Sequence, residues 1–194
     1  MTKYPRGFQS DAENIAEEVR AEMGLSVFAR LDPHDLAKHL DVLVYPLSEL
    51  PQLVNLSERS LIGSAIQTLF DQGAAFSAVT IFVGLQRVIV HNDAHGVERQ
   101  ASNVCHELAH GLLLHPPAPA LTEHGLRDFD TTIEDEAAYL GAALLIPGKA
   151  ARGSVTRHMT IEQVAEQFGT SVEPARWRIN TTARGKIRHY GTSL

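Results

Sequence analysis

The sequence predicts an α+β fold, mostly helical, with a small β-sheet that delivers the chain directly onto one amphipathic helix. Three observations predict it. Apolar residues recur at helical spacing through 97–114 and 134–146, and two β-branched runs at 76–83 and 87–91 are joined by Gly84-Leu85-Gln86. A glycine turn at Gly169 separates two further helical segments. No internal repeat or low-complexity tract breaks this order.

In chain order, residues 1–10 read as a lead-in, and Asp11-Ala12-Glu13-Asn14 as an N-cap with acids in the first turn of a helix that runs to Met23. Ile15, Val19 and Met23 recur at every fourth position, and Gly24 stops the helix. Asp32 and Pro33 open a short second helix to Leu40, and Val42 to Pro46 reads as a strand. Two short helices are expected between Leu47 and Phe70, one around Ser48 to Leu53 and one around Ser57 to Leu69. The β-branched runs then form a hairpin, Asn92 to Gly96 turns, and a helix begins near Val97 and continues to Leu114. A polar, acidic loop from Ala120 to Thr132 has a length more often functional than filler. Glu134 to Ile146 is a second strong helix, with acids at its head, small residues in its middle and Pro147 as its stop. Thr160 to Asn180 reads as a capped helix, a tight Gly169-Thr170-Ser171 turn and a second helix, which is a helix-turn-helix pattern. The expected division is a main domain at 1–150 and a small helix-turn-helix-like unit with a basic tail at 151–194.

Composition bounds what such a fold does. A chain of 194 residues with 44% hydrophobic and 21% charged residues can bury a sizeable core. A formal charge of −6 argues against a protein that coats nucleic acid, although Arg152, Arg157, Arg176, Arg178, Arg184, Lys186 and Arg188 make the last segment basic. The single cysteine, Cys105, excludes an internal disulfide and fits a reducing compartment, so a cytoplasmic location is expected. No signal peptide and no membrane span is expected, because no apolar run approaches the necessary length.

The chemistry concentrates in His106-Glu107-Leu108-Ala109-His110, an HExxH motif. Side chains four apart lie on one helical face, so the His106 and His110 imidazoles can hold one metal ion. Glu107, about 100° further round the helix, is placed to take a proton from a water on that ion. Zn²⁺ is the expected ion, since a catalytic zinc site combines three N or O ligands with one water whose pKa falls to roughly 7. Val104, Leu108, Leu112 and Leu113 make the surrounding helix half-buried, where an unpartnered polar group costs about 1–3 kcal/mol. A metal removes that cost. Cys105, beside the first ligand, reads as a buried inert thiol.

A third ligand is still needed. His115 falls on another helical face from His110 and reads as a helix-end residue, with Leu113 and Pro116 standing where a third-histidine arrangement would need Gly and His. The acid-headed helix is the better source, through Glu134 or Glu136.

The HExxH helix preceded by a strand pair and Glu98-Arg99-Gln100, then Glu134-Asp135-Glu136-Ala137 with Ala142, Leu144, Leu145 and Pro147 at family spacing, resembles the ImmA/IrrE family of metallo-endopeptidases. The resemblance covers about residues 11 to 183 and departs from the family at Ala138, usually Asn, and near Leu140, usually Phe. It implies a zincin-like domain at 1–150, Glu134 as the zinc ligand with Glu136 as the alternative, and a helix-turn-helix repressor as the protein substrate. In the mechanism expected, zinc polarises the scissile carbonyl, and Glu107 takes a proton from the water and later passes it to the leaving amine. Tyr139, His124 and His95 are candidates for stabilising the oxyanion. Two other classes of function stand beside this one. One is a DNA-binding regulator with a structural metal, with Arg176 and Arg178 on phosphates, though Trp177 and Phe168 suit packing of that unit onto the main domain. The other is a metal-dependent protein that sequesters a repressor without cutting it.

Overall fold

The structure, a computed structural model, describes residues 4–50, 77–83, 85–116 and 130–182. The helix expected at Ser57 to Leu69, the part of the preceding helix beyond Leu50, the loop at 120–129, His124 and the basic tail from Arg184 to Arg188 lie outside those residues. Seven α-helices and three strands make up the described part, an α+β arrangement. None of these helices is long and apolar enough to cross a membrane.

Helix α1, Phe8–Glu22, starts three residues before the expected cap. Gly7, at φ 91°, turns the chain into it, and Phe8 stacks on Tyr4 and meets Tyr139 edge-on, so aromatic packing draws the first turn in. Its fully buried line is Ala12, Ala16 and Val19, with Ile15 and Met23 only flanking the core. Small residues on that line let α1 approach its neighbours closely. Helix α2, Pro33–His39, opens as expected, with the Asp32 carboxylate accepting the His34 amide at 2.8 Å. Strand β1, Leu43–Pro46, follows, and a single 3-10 turn occupies Leu47–Glu49.

Strands β2, Ala78–Val83, and β3, Gln86–His91, pair antiparallel as the hairpin reading requires, from Ala78↔His91 to Val83↔Gln86. β1 joins the other side of β3 in parallel register, so the sheet order is β1-β3-β2. Val88, Ile89 and Val90 are all buried, the continuous apolar run that a central strand needs. The chain then enters α3, Val97–Leu112, whose buried residues Val104, Cys105, Leu108 and Ala109 recur at helical spacing.

Helix α4, Thr131–Leu145, begins three residues before the expected head, because Asp130 caps it by accepting the Thr132 amide at 2.9 Å. Glu134 therefore sits within the first turn and not at its start. At the other end, the chain turns at Pro147 into α5, Gly148–Thr156, a helix that residue propensities did not suggest. Two glycines and three β-branched or hydroxyl residues in nine make it a poor helix former, and burial of Ala150 and Ala151 holds it in place. Helices α6, Ile161–Phe168, and α7, Val172–Thr182, follow. Thr160 and Gln163 form a reciprocal capping box on α6, and Gly169 closes it at φ 65°, the left-handed region glycine favours. Phe168, Ala175 and Ile179 belong to the same hydrophobic cluster as Ala12, Ile89 and Leu108, so one core runs from α1 to α7.

Two guanidinium groups lie inside this core. Arg20 donates to the carbonyls of Leu144 at 2.6 Å and of Ser26 and Ala29. Arg178 donates through Nε to Ile146 O at 2.8 Å and through Nη2 to Glu13 Oε1 at 2.6 Å. These donors satisfy carbonyls that the C-terminal end of α4 leaves open. Glu13 also accepts from the Tyr139 hydroxyl at 2.9 Å and the Gly148 amide at 2.7 Å.

Candidate metal centre

The crossing of α3 on α4 builds the site. A Cβ on Gly141 of α4 would stand 3.0 Å from the His106 backbone nitrogen and 3.1 Å from the Cys105 carbonyl, so any larger residue would push the two helices apart by a few tenths of an ångström. Glu134 lies two turns before Gly141 on the same helix. The tight crossing thus carries its carboxylate onto the histidines of α3. The His106 and His110 Nε2 atoms are 3.1 Å apart, and Glu134 reaches them at 3.1 and 3.7 Å. One ligand atom from each of the three lies within 4.8 Å of the others. Atoms bound about 2.0–2.1 Å from a tetrahedral ion stand roughly 3.3–3.4 Å apart, so this N, N, O set fits a metal ion of zinc's size. Hydrogen bonds with His106 and then His110 hold the Glu134 carboxyl far below the ordinary carboxylate range, despite opposing burial. That direction favours the charged form a metal ligand needs.

Glu107 takes a different direction from its neighbours on the helix. It is buried, and the Thr80 hydroxyl on β2 donates to its Oε2 at 2.6 Å. Sequence reading missed Thr80. The available signal was alternation: Thr80 pairs with fully buried Ile89, so a lone hydroxyl faces inward from an otherwise apolar strand.

The structure corrects the reading of His115. It does not simply end the helix on another face. Leu114 takes φ 54°, the His115 amide returns to the His110 carbonyl at 3.0 Å, and the ring lands with its Nδ1 3.0 Å from His110 Nδ1. Glu136, the alternative third acid, is outside the three-atom cluster and meets His115 Nε2 at 3.2 Å. Burial holds the His115 ring below its ordinary pKa.

The other candidates lie elsewhere. Tyr139 is buried and turned to Glu13, away from the histidines, and His95 sits in the turn beside Asn103. Cys105 is fully buried, and burial pushes its thiol pKa far up, which makes it inert. Arg176 is exposed, whereas Arg178 is fully buried against Glu13 and Ile146. A cavity of about 440 Å³ opens beside His106 between α3, α4 and α7, with Ala138, Ala142, Leu145 and Trp177 in its apolar wall.

No curated protein matches the chain. The profile of the IrrE N-terminal-like domain, Peptidase_M78, matches residues 68–180, more than half of the chain, and that span holds the hairpin, the HExxH helix and the helix bearing Glu134. Motif, donor cluster and profile agree: the chain belongs to the Peptidase_M78 family, the ImmA/IrrE-type metallopeptidases.

Proposed function

We propose that this metallopeptidase is a cytoplasmic, zinc-dependent endopeptidase that cuts one specific protein, a helix-turn-helix transcriptional repressor. His106, His110 and Glu134 are its zinc ligands, and Glu107 is its general base. The carrying observation is a convergent N, N, O donor set with a buried carboxylate next to the first ligand in the chain. A purely structural site has no use for that carboxylate. When bound, the ion supplies polarisation of the scissile carbonyl and acidification of a water. Thr80 occupies Oε2 of Glu107, which leaves Oε1 to accept the water's proton and hand it to the leaving amine nitrogen. β2 is an edge strand of the described sheet, and in this reading an extended substrate lies along it. The cavity beside His106 then receives an apolar side chain of the substrate.

Helices α6 and α7 serve in this reading as a helix-turn-helix-like docking unit. They also favour the second reading, a metal-dependent regulator that binds DNA or a repressor without proteolysis. Burial of Arg178 weakens its DNA form, because that guanidinium cannot reach a phosphate.

The test is coexpression of the wild type or Glu107→Gln with a helix-turn-helix protein encoded beside it, followed by mass spectrometry of the repressor and zinc analysis of both enzymes. A defined fragment from wild type and none from a zinc-loaded Gln variant is the expected result. An intact repressor in both, with lowered operator occupancy, replaces the peptidase reading with the second one.

A further inference from the structure

Both nitrogens of His110 are engaged. Nε2 faces His106 and Glu134, and Nδ1 faces His115 at 3.0 Å. His115 in turn faces Glu136 through Nε2 at 3.2 Å. The proton count along this line has one solution. If Nε2 of His110 is to bind a metal, its proton stays on Nδ1 and is donated to His115 Nδ1. His115 must then carry its own proton on Nε2, where the Glu136 carboxylate accepts it. Each donor meets one acceptor, and the line ends on an anion.

The backbone is bent to make this line. After α3, the His115 and Leu114 amides bond to the carbonyls of His110 and Gly111, at 3.0 and 3.1 Å, the pattern that ends many helices with glycine in the left-handed position. Here that position is Leu114, a residue at φ 54° and 87% exposed, so its own packing does not explain the conformation. What the turn achieves is the return of His115, whose side chain is only 8% exposed, onto His110. Helix α4 supplies both carboxylates: Glu134 to the cluster and, two residues on, Glu136 to the far side of His115.

We propose that His115 and Glu136 are positioning residues that lock His110 in one tautomer and one ring orientation, so that its Nε2 is always presented to the metal. The inference rests on His110 being a metal ligand. Groups one step removed from a ligand are typically worth about 10- to 100-fold in metal affinity.

The experiment uses the full chain, stripped by chelation and titrated with Zn²⁺ against a chromophoric competitor, with the Co²⁺-loaded visible spectrum as a second readout. His115→Phe keeps a ring in the space and removes both nitrogens. It is expected to bind Zn²⁺ about 10- to 100-fold more weakly and to alter the Co²⁺ spectrum, with the circular dichroism of the apoprotein unchanged. His115→Gln recovers part of the loss, because its amide can accept from His110 and donate to Glu136. Glu136→Ala loses less than His115→Phe, and the double variant loses no more than His115→Phe alone, as members of one line should. Should the Phe variant misfold, ¹⁵N shifts of the zinc-loaded wild type read the tautomers directly. His110 bound through Nε2 with its proton on Nδ1 supports the inference. Zn²⁺ affinity in the Phe variant equal to wild type overturns it alone, as does His115 appearing as a ligand. A wild type that binds neither ion overturns the zinc reading as well.

Discussion

At the C-terminal end of α4, the carbonyls of Leu144 and Ile146 are met by the guanidinium groups of Arg20 and Arg178 at 2.6 and 2.8 Å. At the N-terminal end, Glu134 faces two imidazole nitrogens that are themselves 3.1 Å apart. Both clusters are polar, both are built between helices distant in the chain, and both lie at least partly out of water. They differ in what their atoms offer. In the first, permanent donors meet acceptors, and the anion Glu13 takes three hydrogen bonds. In the second, two imidazole Nε2 atoms and a carboxylate converge on a common centre, where Glu134 pairs with each imidazole and all three atoms can hold one cation. The first cluster joins its cations to carbonyls and a carboxylate within the protein, although Arg20 Nε and Arg178 Nη1 have no partner among the described residues, and the second offers its three converging atoms to a cation.

The largest effect that would break this comparison is at the guanidinium cluster. Arg178→Met leaves Glu13 and the Ile146 carbonyl without their buried partner and should cost about 3–5 kcal/mol in denaturant unfolding. Zinc affinity of the folded fraction should not change; if it falls in step with stability, the two clusters are not separable. Next comes removal of the metal. Zn²⁺ at a hundred times its Kd should stabilise the wild type by about 2.7 kcal/mol over the chelated protein in a thermal scan. His110→Ala should lose that gain, and its apoprotein should also be somewhat less stable, since His115 Nδ1 loses its partner. A zinc-induced gain that survives in the variant would mean that His110 is not a ligand.

Gly141→Ala tests the joint between the clusters. Its methyl would meet the His106 and Cys105 backbone at 3.0–3.1 Å, so α4 must shift. Overpacking of this kind costs about 1–3 kcal/mol, and here it should also weaken zinc binding because Glu134 moves with the helix. Unchanged zinc affinity would show that the crossing distance does not set the site.

The smallest effect sharpens the contrast from outside both clusters. His91 is buried, with Nδ1 unpartnered among the described residues, and burial followed by the nearby His34 lowers its pKa. With the folded-state pKa below the unfolded value of about 6.5, the unfolded chain takes up the proton first, and stability falls as pH drops below that value. Unfolding measured between neutral and mildly acidic pH should show this slope, and His91→Gln should flatten it. An unchanged slope in the variant would assign it to other groups.

Local patterns were legible because they are short-range. His106 and His110 share a face through one helical turn, Asp32 caps the next residues, and Gly24 and Gly169 end helices by their own φ, so spacing and residue type suffice for the HExxH motif and most helix limits. Weak local signals failed where packing decided. Phe8 joined α1 through an aromatic contact with Tyr139, and α5 formed on buried alanines in a glycine-containing segment. The apolar run Val88-Ile89-Val90 marks β3 as a central strand, but which strand joins its second side, and in which direction, was not legible.

The choice between Glu134 and Glu136 shows the boundary most clearly. By itself the sequence determined that an HExxH helix and an acid-bearing helix exist and that an acid of the second could join the histidines of the first. Residues two apart on a helix point about 200° apart, so only one acid can face a given neighbour. Tertiary structure alone decided that Glu134 meets His106 and His110 while Glu136 meets His115, because that outcome depends on the rotation and separation of α3 and α4. The closeness of that crossing rests on Gly141 against the His106 backbone, a contact between residues that no spacing in the chain brings together.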